Sequence, residues 1–202
     1  MPLSDALYEE QEKTAMATQN TRIERASQEP QMSRQQARSV LFTGILIGIG
    51  IAGFVDETLF HQLLQWHTFY WATNEHGRIL SDGFFHLFST LLLLWGLLRV
   101  WQGRAGWSDA SGPLLVAGIL MGAGGFNVYD GIVQHAIFHF HLVNEHVCNT
   151  GVTHGNNSLA NCPQGIPYEI VWDSVGFIVL AIGFLLWRRN RRMWQSASYS
   201  QE

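Results

Sequence analysis

The chain has 202 residues, of which 47% are hydrophobic and 14% are charged, and its formal net charge is −4. A nucleic-acid-binding surface needs clustered positive charge, so this composition gives no support for a nucleic-acid partner. The apolar residues are concentrated in four long stretches that follow a polar beginning. The sequence therefore predicts an integral membrane protein in contact with a lipid bilayer rather than a soluble domain.

The first segment, residues 1–38, contains almost no apolar runs. Residues 11–38 are mainly Gln, Ser, Thr, Glu and Arg, which cannot bury enough surface to offset the entropy lost on ordering. No short apolar region with a cleavage site follows Met1, so a secretory signal is not predicted. We expect residues 1–38 to be a disordered cytoplasmic tail.

A transmembrane domain is predicted for residues 39–192, followed by a second cytoplasmic tail, 193–202. Each of its four apolar spans supplies the roughly 20 residues that a spanning helix needs. The run of residues 91–98 in the second span has no polar face, unlike a helix at the surface of a soluble protein. The predicted fold is all-α, an integral membrane four-helix bundle. Its spans lie at about residues 40–66, 79–101, 113–139 and 168–187.

The basic residues predict the orientation of the spans. Of the 12 Lys and Arg residues, 11 precede the first span, flank the connection between the second and third spans, or follow the fourth. Only Arg78 lies on the other side. The positive-inside rule makes the crowded side cytoplasmic, so both termini are expected there and the other two connections face outward.

The outward connection between spans 3 and 4 carries both cysteines of the chain, Cys148 and Cys162. Disulfides persist in oxidising compartments outside the cytoplasm. Closing a loop of this size is worth about 3 kcal/mol in the chain-entropy model. We expect a disulfide, with two free thiols as the alternative. A metal site is disfavoured, because the spacing matches no common thiolate motif.

The first and third spans contain two copies of one pattern, displaced by 74 residues. Ionisable residues within apolar spans are costly and mark functional sites by default, whereas the repeated glycines suit close helix packing. Since both copies run in the same direction, the sequence predicts two tandem two-helix repeats. The repeated residues are Gly44, Gly48, Gly50, Asp56, His61 and His67, which recur as Gly118, Gly122, Gly124, Asp130, His135 and His141.

The predicted topology places the ionisable side chains of all four spans in one layer of the outer half. Bundles build metal sites from carboxylates and imidazoles that facing helices offer at one level. The first-tier candidate ligands are Asp56, His61, Asp82, His86, Asp130, His135, His139 and Asp173, and the second-tier candidates are Glu57, His67, Gln134 and His141. The loop histidines His76, His146 and His154 are expected to be ordinary surface residues.

The donor types in this layer indicate which metal it would take. Imidazole suits copper, iron and zinc, and carboxylates add a preference for harder ions. No Met or Cys is among the candidates, which argues against a pure Cu(I) site. We therefore expect a transition-metal ion, copper or iron ahead of zinc.

The repeated Asp and His residues pose a geometric question. Asp56 and His61 are five residues apart, as are Asp130 and His135, which puts the members of each pair about 140° apart around an α-helix. Either each pair faces two different neighbours, or a π-bulge brings its members together. The sequence leaves both arrangements open.

Several strings resemble bacterial predicted membrane proteins of the domain-of-unknown-function family 2243. They are GFVDETLFHQLLQWH at 53–67, SDGFFH at 81–86, GFNVYDGIVQH at 125–135 and WD at 172–173. The resemblance implies a four-span protein of the bacterial inner membrane and brings no established activity. It suggests a respiratory oxidase or its assembly factors as partners.

Several functions remain open at this point, and whether the protein is an enzyme is among the questions. The leading hypothesis is a copper or iron centre on the periplasmic side, for metal handling or redox chemistry. A haem-binding membrane cytochrome needs only two axial histidines and leaves the aspartates unexplained. A membrane zinc hydrolase lacks a supporting signature. A proton carrier would need polar groups in the inner halves as well. A purely structural polar layer is the remaining alternative.

Overall fold

The protein is described by a computed structural model covering residues 10–20, 32–148 and 159–199, with side chains in the last helix described as far as Arg191. His154 lies outside these ranges. Residues 10–20 form a short helix, α1, within the stretch where the sequence predicts a disordered tail. Its side chains are exposed, and the hydroxyls of Thr14 and Thr18 each donate to a backbone carbonyl one turn earlier at 2.7 Å. Hydrogen bonds within the helix can stabilise it even though its side chains are exposed.

Four long helices follow, and all four are long and apolar enough to cross a membrane. The described residues contain helices, turns and loops but no strand. The prediction of an all-helical fold with four candidate membrane spans is thereby confirmed for the described residues. The helices are α2 (Arg34–Asp56), continued by the π-helix π1 (Glu57–Leu63); α3 (Glu75–Gly103); α4 (Ser111–Tyr129), continued by the π-helix π2 (Asp130–Ile137); and α5 (Ile166–Tyr199).

The helices α2 and α3 begin earlier than the apolar spans predict, because polar residues cap their first turns. Ser33 accepts a hydrogen bond from the Gln36 N–H at 3.1 Å, and the Gln36 side chain accepts from the Ser33 N–H at 2.9 Å. This capping box satisfies two backbone donors that would otherwise lack partners. Asn74 caps α3 in a similar way, accepting from the Gly77 N–H at 2.8 Å.

The helices α2 and α4 lie side by side at the centre of the fold and run in the same direction. Gly44 faces Gly118, and a Cβ added at either glycine would overlap a backbone carbonyl of the facing helix. The approach continues along the helices, where Gly48 lies against Ile119 and Gly122 against Ile45. Small residues at this spacing let two membrane helices pack backbone to backbone.

The helix α3 packs along α2, and α5 packs along α4. Gly50 of α2 lies against Leu93 of α3, and Gly124 of α4 lies against Leu180 of α5. The two contacts correspond to each other along the chain. Gly124 follows Gly50 by 74 positions, and Leu180 follows Leu93 by 87 positions. The two outer helices expose large apolar side chains along their free faces, Leu91 and Val171 among them.

Two connections meet at one end of the helices: the first connection (64–74) and the second connection (138–148). The Trp71 N–H donates to the Phe140 carbonyl at 3.2 Å, and the Glu145 N–H donates to the Trp66 carbonyl at 2.9 Å. Cys148, at the end of the second connection, lies at disulfide distance from Cys162, with the two sulfur atoms 1.98 Å apart. This is the pair that the sequence predicts to be bridged.

Candidate metal centre

The first and third spans each change from an α-helix to a π-helix at the repeated aspartate. In π1 the Leu64 N–H reaches the Leu59 carbonyl at 2.8 Å, and in π2 the Phe138 N–H reaches the Val133 carbonyl at 2.9 Å. A π-helix bonds residue i to residue i+5, so residues at that spacing lie one above the other. The question left open by the sequence is therefore decided in favour of the π-helical arrangement.

The widened turns bring each repeated aspartate to the histidine that follows it. Asp56 Oδ2 lies 3.6 Å from His61 Nε2, and Asp130 Oδ2 lies 3.0 Å from His135 Nε2. All four side chains are almost completely buried. On a regular α-helix these pairs would diverge, so the π-helices are what makes a single polar site possible.

Each π-helix is followed, two residues after its end, by a residue with left-handed backbone, and this turn directs the next histidine into the site. Gln65 and His139 each have a φ of 53°. Two residues further on, His67 and His141 fold back over the ends of the helices, with exposed fractions of only 2% and 1%. Residues other than glycine rarely adopt a positive φ. Their occurrence at both turns indicates that the surrounding contacts determine the backbone there.

The four imidazoles form a row of neighbouring rings at the centre of the site. Ring centroids are 4.4 Å apart for His61 and His67, 4.6 Å for His67 and His141, and 4.5 Å for His141 and His135. The aspartates flank this row: Asp56 Oδ1 lies 3.8 Å from His67 Nε2, and Asp130 Oδ1 lies 3.8 Å from His141 Nε2. We call these four histidines and two aspartates the His4Asp2 cluster.

The two central histidines are oriented by backbone carbonyls of the opposite connection. His67 Nδ1 lies 2.7 Å from the Val143 carbonyl oxygen, and His141 Nδ1 lies 3.0 Å from the Phe69 carbonyl oxygen. A carbonyl can only accept, so each Nδ1 must carry the proton and donate it. In a neutral ring this leaves Nε2 as a lone pair directed into the cluster.

The two terminal histidines are oriented by carboxylates of the flanking helices. His61 Nδ1 bonds Asp82 at 3.1 Å, with Glu57 Oε2 3.0 Å away, and His135 Nδ1 bonds Glu169 at 2.7 Å. These carboxylates also brace the connections, since Asp82 accepts the Phe69 N–H and Glu169 accepts the Val143 N–H. A histidine with a carboxylate on one nitrogen and a free second nitrogen is the usual arrangement for a metal ligand.

Buried polar atoms without a hydrogen-bond partner are concentrated at this cluster. Such atoms are rare in folded proteins, because each loses its hydration without compensation. The imidazole nitrogens face carboxylate oxygens at 3.0–3.8 Å, close enough for ion pairing but without the geometry of a hydrogen bond. The unpartnered atoms of the cluster are the Nε2 atoms of His61, His67, His135 and His141, with Asp56 Oδ1 and Asp130 Oδ2.

The electrostatics of the central pair favour neutral imidazoles. Burial holds the pKa values of His67 and His141 well below the ordinary histidine value, and nearby His61 and His135 depress them further. Neutral imidazole is the form that ligates metals. Two lone pairs and two carboxylates therefore converge on one space.

The donor atoms are close enough together to share a metal ion. Those of His61, His67 and His141 lie within 4.8 Å of one another, as do those of Asp130, His135 and His141. Ligand–metal distances of about 2.0–2.2 Å place neighbouring donors about 3–4 Å apart. A further group, Glu57 with His61 and Asp82, also meets the spacing. Since Asp82 already accepts from His61 Nδ1, this group instead orients His61.

Three of the predicted first-tier residues neither belong to the cluster nor hydrogen-bond its side chains. His139 is exposed, and its Nδ1 bonds the His135 carbonyl at 3.0 Å, because the αL turn directs its side chain away from the helix axis. His86 is half-buried between the Phe54 ring and Gln62. Asp173 is also half-buried and lies against Gly131.

The other predicted residues lie in the cluster or contact it. Asp82 and the second-tier Glu57 hold His61, and the second-tier Gln134 donates to Asp130 Oδ1 at 2.8 Å. Glu169 was missed as a site residue. The available signal was its position: Glu169 and Asp173 begin span 4 with the spacing that Asp82 and His86 have at the start of span 2.

The fold and the site define a class: a polytopic membrane protein with four spanning helices and a buried histidine–aspartate cluster at one end. Residues 43–190 match the family described as "Predicted membrane protein (DUF2243)", and the chain belongs to that family. This confirms the resemblance seen in the sequence strings. No curated protein and no solved structure shows a significant match to the chain.

Proposed function

We propose that the chain is an integral membrane metalloprotein that binds a transition metal, copper or iron, at the His4Asp2 cluster and uses it for metal handling or redox chemistry. The observation that carries the proposal is the set of four buried Nε2 atoms that make no hydrogen bond and face Asp56 and Asp130 at 3.0–3.8 Å, each on a ring whose Nδ1 is already engaged. A hydrogen-bond acceptor on the ring nitrogen that does not bind the metal fixes the tautomer and orientation of a ligating histidine.

A purely structural polar layer accounts poorly for these atoms. Polar side chains that hold membrane helices together do so by pairing with one another. Here the hydrogen bonds run outward from the rings, to Asp82, Glu169 and two backbone carbonyls, while the inward nitrogens only face carboxylate oxygens at 3.0–3.8 Å. An unpaired buried polar group costs about 1–3 kcal/mol, and a layer that only joins helices would carry this cost at His67 and His141, whose Nε2 atoms lie 3.8 Å from the nearest carboxylate.

Haem between two of these histidines is disfavoured by their spacing. Axial imidazoles lie on opposite faces of the macrocycle and are separated by its iron. Successive rings of the row, from His61 to His135, contact one another at 4.4–4.6 Å between centroids, which leaves no room for a porphyrin. A zinc hydrolase would need an open ligand position with a water and a general base. Copper or iron is the expected metal, and metal analysis would reveal zinc instead.

The topology forms part of the proposal. The distribution of Lys and Arg supports cytoplasmic termini, which would put the cluster in the periplasmic half of a bacterial inner membrane. The paired helix contacts at Gly50 and Gly124 support two tandem two-helix repeats. Reporter fusions after residue 148 and at the C-terminus test the orientation. A periplasmic reporter active at the C-terminus would contradict it.

Metal analysis of the full-length protein purified in detergent tests the function. The wild-type protein should carry copper or iron, measured by plasma mass spectrometry together with an optical spectrum. The double variant His61→Ala/His135→Ala should lose the metal while remaining monodisperse and helical. His86→Ala is the matched control, since it removes a histidine at similar depth outside the cluster. Wild-type protein that binds neither metal on reconstitution would overturn the proposal.

A respiratory oxidase or its assembly factors are the partners that the family resemblance suggests for this metal. If the protein delivers metal, deleting its gene should lower the metal content of the oxidase in isolated membranes. The His61→Ala/His135→Ala variant should fail to restore that content, whereas His86→Ala should restore it. Equal restoration by both would remove the link between the cluster and the oxidase.

A further inference from the structure

Resting on the proposed metal function, we propose that the His4Asp2 cluster is a dinuclear centre, with one ion beside Asp56, His61 and His67 and a second beside Asp130, His135 and His141. The two ions would be held by the two equivalent halves of the site. Four observations on the described residues carry the inference: the number of donor atoms, the length of the imidazole row, the charge of the surrounding carboxylates, and the hydrogen bonds between the two halves.

The number of unpartnered donors exceeds what one four-coordinate ion uses. Six buried atoms of the cluster make no hydrogen bond, four imidazole nitrogens and two carboxylate oxygens. They separate into equivalent sets, because each aspartate has one oxygen near each of two histidines of its own half. Those distances are 3.6 and 3.8 Å for Asp56, and 3.0 and 3.8 Å for Asp130. A carboxylate used in this way holds two ligands around one ion.

The imidazole row is too long for one ion to take all four rings. Two imidazoles bound on opposite sides of one ion have centroids about 6.4 Å apart, given metal–nitrogen distances of about 2.0–2.1 Å. The second neighbours in the row already approach this limit, at 5.9 Å for His61 and His141 and 6.3 Å for His67 and His135. Among the described side chains, ring contacts join every pair of the four histidines except His61 and His135, the two ends of the row.

The charge around the cluster also favours two cations. Five carboxylates belong to the cluster or contact its histidines: Asp56, Glu57, Asp82, Asp130 and Glu169. Four of them are buried, and Asp82 is half-buried. When these groups are ionised and the histidines are neutral, as metal ligands are, one divalent ion would leave three negative charges uncompensated, and two divalent ions would leave one. Uncompensated buried charge is strongly destabilising, so the second ion relieves most of the excess.

Hydrogen bonds connect the two halves of the cluster to each other. His67 is oriented by Val143 of the second connection, and His141 by Phe69 of the first. The same residues bind the carboxylates that orient the terminal histidines, since the Phe69 N–H donates to Asp82 and the Val143 N–H donates to Glu169. Each half thus positions a ligand of the other, as expected for two ions held at the roughly 3.5–4 Å separation of two-metal sites.

The stoichiometry of bound metal tests the inference and separates it from the proposed function. The full-length protein in detergent is titrated with Cu(II) and, in a second series, with Fe(II). Bound metal is measured by plasma mass spectrometry and protein by amino-acid analysis. Two ions per chain are expected. One ion per chain would overturn the dinuclear centre and leave the metal function standing, whereas no bound ion would overturn both.

Single variants and spectroscopy give independent readouts. His61→Ala and His135→Ala should each retain one ion per chain, because each removes a ligand of only one half. Loss of all metal in both folded single variants would indicate one shared ion and overturn the inference. X-ray absorption of the Cu(II)-loaded wild type should show a metal–metal scattering shell that both single variants lack. This measurement stays decisive if a variant fails to fold, because a wild-type protein without the shell would contradict two adjacent ions.

Discussion

Replacing Glu169 by Gln should weaken metal binding more than replacing Asp82 by Asn, although both carboxylates orient a terminal histidine. Glu169 is the one acceptor for His135 Nδ1, at 2.7 Å, and its side chain is 8% exposed. Asp82 bonds His61 Nδ1 at 3.1 Å with a side chain 17% exposed, and Glu57 Oε2 lies only 3.0 Å from the same nitrogen. The first half therefore has a replacement carboxylate, and the second half does not.

The size of the effect follows from these contacts. Loss of the group that orients a ligating histidine typically costs about 10–100-fold in metal affinity, which is about 1.4–2.7 kcal/mol. Glu169→Gln removes the carboxylate at Nδ1 of the buried His135 and should approach about 100-fold. Asp82→Asn should stay near or below about 10-fold, because Glu57 can take over the hydrogen bond. Both amides retain an oxygen for the backbone N–H groups of Val143 and Phe69, so folding should survive.

Competition with a chelator of known metal affinity measures the dissociation constants of the wild-type protein and both variants. Circular dichroism and size-exclusion chromatography check that the helices and the monodisperse state are retained. Equal weakening by the two variants, or a stronger effect of Asp82→Asn, would refute the reasoning. Unchanged affinity in Glu169→Gln would show that the second half of the cluster does not hold metal through His135.

Three further predictions concern stability and covalent structure. Gly48→Ala should lower the thermal unfolding temperature by the equivalent of about 1–3 kcal/mol, because its Cβ would overlap the backbone of α4, whereas Gly112→Ala should not, since its Cβ meets open space. Without reductant, Cys148 and Cys162 should resist alkylation in mass spectrometry, and modification of both would exclude the disulfide. Burial raises the pKa of Glu145 from 4.5 to about 8, so its protonated form favours folding. Stability should fall as pH rises through this range, and Glu145→Gln should lose most of that slope; an unchanged slope would contradict the assignment.

The sequence by itself determined the class of the protein and much of its site. Apolar length predicts four spanning helices, because a bilayer leaves few other folds for such stretches. The repeated Asp56, His61 and His67 pattern, with its copy 74 residues later, identifies most of the cluster. These features are local in the chain, or are comparisons of one stretch with another, so they need no knowledge of packing.

The membership of the cluster was decided by backbone features that periodicity does not encode. A regular helix would separate Asp56 from His61, and only the π-helix brings them together. The αL turn excludes His139 and admits His141, although the sequence ranks them in the opposite order. Such departures from regular geometry occur where the surrounding structure determines the backbone, so a 3.6-residue pattern cannot locate them.

Contacts between distant parts of the chain decided how the histidines are held. His67 depends on the Val143 carbonyl, 76 residues away, and His135 depends on Glu169, 34 residues away. A backbone carbonyl leaves no signature in the sequence, because every residue has one. Residue types therefore indicated that a polar site exists, whereas only the packed connections and flanking helices determined which nitrogen of each ring faces the centre.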